Sequence, residues 1–202
     1  MKHMPKNSMC IFLSLLMAFS LSACSAGTEL NEQNINWTVA KVEKALKDFD
    51  EKDLKKYVES DTLSKILAVS NGKEQFEELG EAIFDELSIK VQSINLEEAT
   101  VTVSVENRDL YQIAADFAQK LSNNYTEFQL LGMLNDEDFL NNNLSQLTEQ
   151  IEAAPMQQKP QTVTLSVKKG AKNLVLVFDE ESENAVSGGA LGAIMKTFSA
   201  SL

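Results

Sequence analysis

The sequence predicts an α+β domain: an antiparallel sheet of two hairpins, about four strands in all, covered by helices. Three observations predict it. Apolar residues recur at helical spacing between residues 37 and 87. The period then drops to two in adjoining runs at 88–96 and 100–106. After a second helical section the drop recurs at 163–167 and 174–178. An antiparallel sheet needs a cover for its apolar face, and amphipathic helices provide one.

Residues 37–49 place Val39, Val42, Ala45, Leu46 and Phe49 on one stripe, with Asn36 as the expected N-cap. Asp50 then caps a short helix that turns Leu54, Tyr57 and Val58 inward, and residues 61–69 form another. Asn71-Gly72 breaks the pattern. Residues 73–87 read as an amphipathic helix with Phe76, Leu79, Ile83, Phe84 and Leu87 on one face. Ile89 and Val91 alternate in the first strand, and Val101, Val103 and Val105 in the second. The short link at Glu97-Glu98 makes these an antiparallel hairpin.

A helix opens at Asn107 or Arg108-Asp109 and carries Leu110, Ile113, Ala114, Phe117 and Leu121. Asn123-Asn124 interrupts it, and residues 125–134 return to helix. Asn135-Asp136 starts one more, striped by Leu140, Leu144, Leu147 and Ile151. Residues 155–160 have a proline at each end and close the helical section. Val163, Leu165 and Val167 alternate, Lys169-Gly170 turns, and 174–178 complete the second hairpin. Residues 183–198 are expected to form one final helix.

The 202 residues suit one domain and carry a formal charge of -12, from 30 acids and 18 bases. A chain this acidic is repelled by nucleic acid and by anionic lipid head groups. The N-terminus has a different character. Lys2, His3 and Lys6 precede an apolar run at residues 10–21. A membrane-spanning helix needs about 20 apolar residues, so this run is short for a span and right for a signal-peptide core. Leu21-Ser22-Ala23-Cys24 follows and resembles a bacterial lipobox.

That resemblance implies cleavage after Ala23 and a diacylglyceryl group on the Cys24 thiol. Residues 1–23 are then a signal peptide, 24–36 a lipid-anchored tether, and 37–202 a single α+β domain. The implied location is the extracytoplasmic face of a bacterial cell membrane, with the membrane as partner through the lipid on Cys24. Plain secretion would instead leave Cys24 a free thiol. Residues 25–35 are polar and lack an apolar period, as a tether requires.

Three stretches extend the resemblance across most of the mature chain: FDEKDLKKYV at 49–58, IKVQSINLEEATVTVSV at 89–105 and NAVSGGALGAIMKTF at 184–198. The pattern resembles small lipoproteins of Gram-positive bacteria with a cystatin-like or nuclear-transport-factor-2-like domain. It implies a cone whose hollow between sheet and helices holds a ligand in some members. In some members Asp and Tyr do acid–base chemistry there, which makes Tyr57, Tyr111 and Tyr125 the residues to place.

Loss of residues 1–23 removes the only histidine, His3, and one of the two cysteines, Cys10. What remains can form no intramolecular disulfide, no Ser-His-Asp or Cys-His centre, and no zinc site of His and Cys. The cluster at residues 187–192 (SGGALG) lacks the Lys-Ser/Thr of a phosphate-binding loop, so its glycines are expected to serve close packing. The run Asn135-Asp136-Glu137-Asp138 is placed to cap a helix rather than hold calcium. Asp179-Glu180-Glu181 and Glu77-Glu78-Glu81 read as solvated faces.

No catalytic residue, metal or cofactor is expected. The expected function is non-enzymatic binding of a small molecule or a protein. The alternative is an enzyme using Asp or Glu with Tyr in the cone. A third possibility is that the released signal peptide, with its segment LMAFSLSA, is itself a message, as in the apolar peptide pheromones it loosely resembles.

Overall fold

The computed structural model describes residues 28–70 and 72–199. The signal peptide, the lipobox with Cys24, and Asn71 lie outside the described residues.

Helix α1 (Glu32–Lys47) begins where the Asn31 side chain accepts the Asn34 N–H, at 2.8 Å. The expected start was at Trp37 with Asn36 as cap, and the expected tether ran to residue 36. Ile35 decides the difference. It is fully buried and continues the Val39 and Val42 stripe backward by four residues. Its polar neighbours hide it from a window search.

Helix α2 (Glu51–Tyr57) is capped by Asp50, as expected. It ends sooner than the sequence implies, because Val58 turns extended and opens a strand, β1 (Val58–Glu59). Helices α3 (Asp61–Ser70) and α4 (Glu74–Phe84) follow. The hairpin β2 (Ser88–Asn95) and β3 (Thr100–Glu106) lies where the period of two placed it.

Helix α5 (Tyr111–Asn124) starts later than Asn107, for a reason given below. Helix α6 (Glu127–Met133) is held by a capping box between Thr126 and Gln129 and leaves Phe128 and Leu131 in solvent. Helix α7 (Glu137–Glu152) buries Leu140, Leu144, Leu147 and Ile151. Strands β4 (Gln161–Lys169) and β5 (Leu174–Val177) form the second hairpin.

The expected single helix at 183–198 is two, α8 (Glu180–Val186) and α9 (Ala190–Ser199). Gly188 and Gly189 part them, with φ of +61° and +90°, a region that side chains with a Cβ avoid. The glycines do serve close packing: Gly188 and Gly189 through a left-handed turn, and Gly192 inside α9, where a Cβ would lie 2.3 Å from the Asn184 amide oxygen.

The sheet has five strands in the order β1-β5-β4-β3-β2, not four. The additional strand, β1, pairs in parallel with β5, so the sheet is mixed. Two residues cannot display a period of two, which is why β1 was invisible in the sequence. Register is set by the buried valines. Val103 lies opposite Val91 and Val163, and Val105 opposite Ile89. Val101, Val103 and Val105 are all fully buried. The other face carries hydroxyls, with those of Thr102 and Thr164 3.0 Å apart across the strands.

Two apolar clusters form the interior. One lies between the sheet and α1, α2, α3 and α8, and the second is helical, built where α4, α5, α7 and α9 meet. Alanines 114, 190 and 193 sit in the second, and α5 and α9 pack closely there. Ile83 borders both clusters. The helices between the hairpins therefore build a core of their own. The fold is α+β, with helices over one face of a five-stranded mixed sheet; the specific cone of the resemblance is not established by it.

Asn107 sits at the junction of the clusters and is fully buried. Its amide donates to the carbonyls of Ile83 and Val186, at 3.0 and 2.7 Å, and its Oδ1 accepts the Arg108 N–H. The asparagine expected to open a helix thus joins the ends of α4, α8 and β3. Beside it, the Arg108 guanidinium donates to the Ala154 carbonyl at 3.0 Å and approaches Glu86. Among the described residues no helix is long and apolar enough to cross a membrane.

Candidate functional site

Helices α3, α4 and α9 do not close completely on one another. Leu63 and Ile66 of α3 lie three apart and face one side of the gap. Phe76, Leu79 and Ile83 line it from α4, and Ala190, Leu191 and Ile194 from α9. The result is an apolar cleft of about 80 Å³. Its polar lining residue is Ser187, whose hydroxyl donates to the Asn184 carbonyl and accepts the Leu191 N–H. Among the described residues, none lining the cleft is titratable. It can hold an apolar group and offers nothing to move a proton.

Gly80 and Phe49 shape one wall. A Cβ at Gly80 would lie 2.4 Å from the Phe49 ring, which stacks on Phe84 at 6.4 Å. Gly80→Ala is expected to push that ring toward the cleft and to cost about 1–3 kcal/mol through overpacking. A lowered urea midpoint at unchanged slope would show it.

Two open grooves are polar. One, of about 680 Å³, is lined by Asp48, Glu78, Glu81, Asp85 and Glu152 with Lys47. Two of the acids expected on a solvated face, Glu78 and Glu81, thus stand on a groove wall. The other groove, of about 350 Å³, lies where Ser60 donates to Glu183 and accepts the Leu63 N–H.

Asp179 lines this second groove and caps α8. The Ser182 hydroxyl, and next its backbone N–H, hydrogen-bond the Asp179 carboxylate and hold its pKa below the ordinary 3.8. The native state therefore releases this proton more readily than the unfolded chain. Its contribution is present above the unfolded pKa and is lost as pH falls through the lower native one. Asp179→Ala is expected to cost about 1 kcal/mol at pH 7 and less at about pH 2, read from urea midpoints.

The three tyrosines expected in the hollow are not brought together. Tyr57 is buried edge-on against Trp37, with ring centroids 5.7 Å apart. Tyr111 opens α5 in solvent, with the Lys196 ammonium 3.4 Å from its hydroxyl. Tyr125 packs edge-on against Phe139 at 5.6 Å. Asp136 caps α7 by accepting the Phe139 N–H, as the capping expectation had it. No protein-family model matches the chain, and no curated protein matches it. A solved structure of ycdA, a Bacillus subtilis protein provisionally named a lipoprotein, aligns at 13% identity with a TM-score of 0.39. The alignment covers 78% of this chain and 59% of ycdA, so the chain spans about three fifths of that protein's length.

Sequence reasoning missed two features. The cleft draws on α3, whose Leu63 and Ile66 were not singled out, and the available signal was their spacing opposite an apolar α4. The other is Trp37, 44% exposed, with the Lys41 ammonium 5.4 Å from its ring centre. Its signal was a lysine four residues after the chain's one tryptophan.

Proposed function

We propose that the protein is a lipid-anchored extracytoplasmic domain that binds an apolar group without chemistry, in the cleft between α3, α4 and α9. The observation that carries this is the lining: aliphatic and aromatic side chains from three helices and one satisfied serine. Apolar cavities with few polar groups are the usual form of a small-ligand site. A cavity of about 150 Å³ lined by Leu, Ile and Phe stays dry and takes benzene. This one is smaller and open at its mouth, which suits an aliphatic side chain of a partner or the end of an acyl chain. The separation of Tyr57, Tyr111 and Tyr125 favours binding over acid–base catalysis. The lipobox resemblance at 21–24 supports the anchor on Cys24.

Titration with dissolved xenon, small enough for a cleft of this size, followed by backbone amide spectra, tests the binding reading. Amides of Leu79, Gly80 and Leu191 should shift together and saturate. Ile66→Trp, which fills the cleft, should remove the response while leaving the rest of the spectrum in place. A wild-type spectrum that does not respond overturns the reading. The anchor is tested separately, by the mass of the mature protein with Cys24 and with Cys24→Ser.

A further inference from the structure

The one tryptophan of the chain lies on its surface, in the second turn of α1. Trp37 and Tyr57 form one aromatic step, and Lys56 stands 4.4 Å from the centre of the tyrosine ring. Asn173 donates to the Lys56 carbonyl at 2.7 Å, which seats the β4–β5 turn beside the end of α2. That turn brings exposed Lys169 and Lys172 to the same end. Among the described residues, Lys41, Lys56, Lys169 and Lys172 are in no ion pair.

Carboxylates are present here too. Glu51 is paired with Lys55 and Glu59 with Lys168. Glu29 and Glu32 lie at the start of α1, and Glu97 and Glu98 at the β2–β3 turn.

The chain enters the fold at this end. Helix α1 starts at Glu32, eight residues after Cys24. Eight extended residues reach at most about 26–29 Å. A lipid on Cys24 would therefore hold the start of α1 within that distance of the bilayer. An exposed Trp favours the headgroup region, and unpaired lysines favour anionic lipid; Tyr57, which is buried, backs the Trp37 ring.

We propose that the Trp37 end of the domain docks on a bilayer of anionic lipid. Trp37 enters the headgroup region, and Lys41, Lys56, Lys169 and Lys172 face the lipid phosphates. The proximity rests on the anchored reading; the chemistry of the patch does not. The strongly negative charge of the whole chain is not concentrated at this end, where the four lysines stand with Glu29, Glu32, Glu97 and Glu98, which are in no ion pair among the described residues, and with Asp53 beside Lys56. Asp48, on the acidic groove, lies eleven residues beyond Trp37, about 16 Å along α1.

Trp37 reports on its own docking. The purified full chain, with its mass at Cys24 determined, is incorporated into vesicles of phosphatidylethanolamine and phosphatidylglycerol, or of phosphatidylcholine alone. Tryptophan emission is then compared with that in detergent. The expected result is a shift to shorter wavelength and quenching by brominated lipid on the anionic vesicles. Both should be lost in 0.5 M salt, on the order of a Debye length of 4 Å, and in Lys169→Glu/Lys172→Glu, whose circular dichroism should match wild type. Lipid on Cys24 with detergent-like emission on both vesicles overturns docking and leaves anchoring intact. An unmodified Cys24 overturns anchoring; the same vesicles added to that chain then test docking, and unchanged emission overturns it. Equal quenching on both vesicle types overturns the role given to the lysines.

Discussion

Asn107→Leu is expected to lower the stability of the domain by about 3 kcal/mol or more. Asn107 is fully buried and serves three backbone groups: the carbonyls of Ile83 and Val186 and the N–H of Arg108. Leucine has a similar volume, so packing changes little while these groups lose their side-chain partner. Each buried polar group left unsatisfied costs about 1–3 kcal/mol, with some relief where water can enter. Asn107→Asp is expected to cost at least as much, because it replaces the donor facing two carbonyls with another acceptor. Urea unfolding gives both values. A change under about 1 kcal/mol in both variants would show that the junction is not held by this amide.

Gly188→Ala is the second large expected effect, at about 3–5 kcal/mol. Gly188 has φ of +61°, and a Cβ there would lie 2.1 Å from the Arg108 carbonyl oxygen. Backbone cannot rotate away as a side chain can. The turn must shift, and the Leu110 N–H to Gly188 O bond of 2.8 Å, which ties α5 to the α8–α9 turn, is lost with it. Gly72→Ala separates the two causes. Its φ is +75°, with nothing within 4 Å of the added Cβ, so it should cost only the conformational part, about 1 kcal/mol. Equal costs at the two positions would rule out the contact with Arg108 as the reason.

These two residues mark what the sequence could and could not reveal. The hairpins were legible because three valines in β3 alternate against partners that do the same. Helix α7 was legible for a similar reason, with four apolar residues at helical steps and an acid at the cap. Asn107 was not, since an asparagine after a strand looks like a helix cap, and only three-dimensional structure shows it reaching residues 24 and 79 positions away. The glycines at 188 and 189 announced a packing constraint but not its form. A helix that admits glycine and a turn that requires it look alike in sequence.

The cleft was the least legible feature. Apolar spacing on α3, α4 and α9 says that each buries a face. It does not say that three buried faces leave a gap between them. Gly80 contributes by letting the Phe49 ring approach α4 closely, and that contact joins α4 to the second residue after α1. Charge misled in a different way. The net value of -12 describes the whole chain, whereas lysines and carboxylates are mixed near Trp37 and acids dominate the groove near Asp48.

The most direct test of the central claim is a crystal of the protein held under xenon pressure. Xenon occupies apolar cavities without hydrogen bonding. The account predicts a xenon atom between Ile66, Leu79 and Ile194. A cleft closed by those side chains, with no xenon between them, would contradict it.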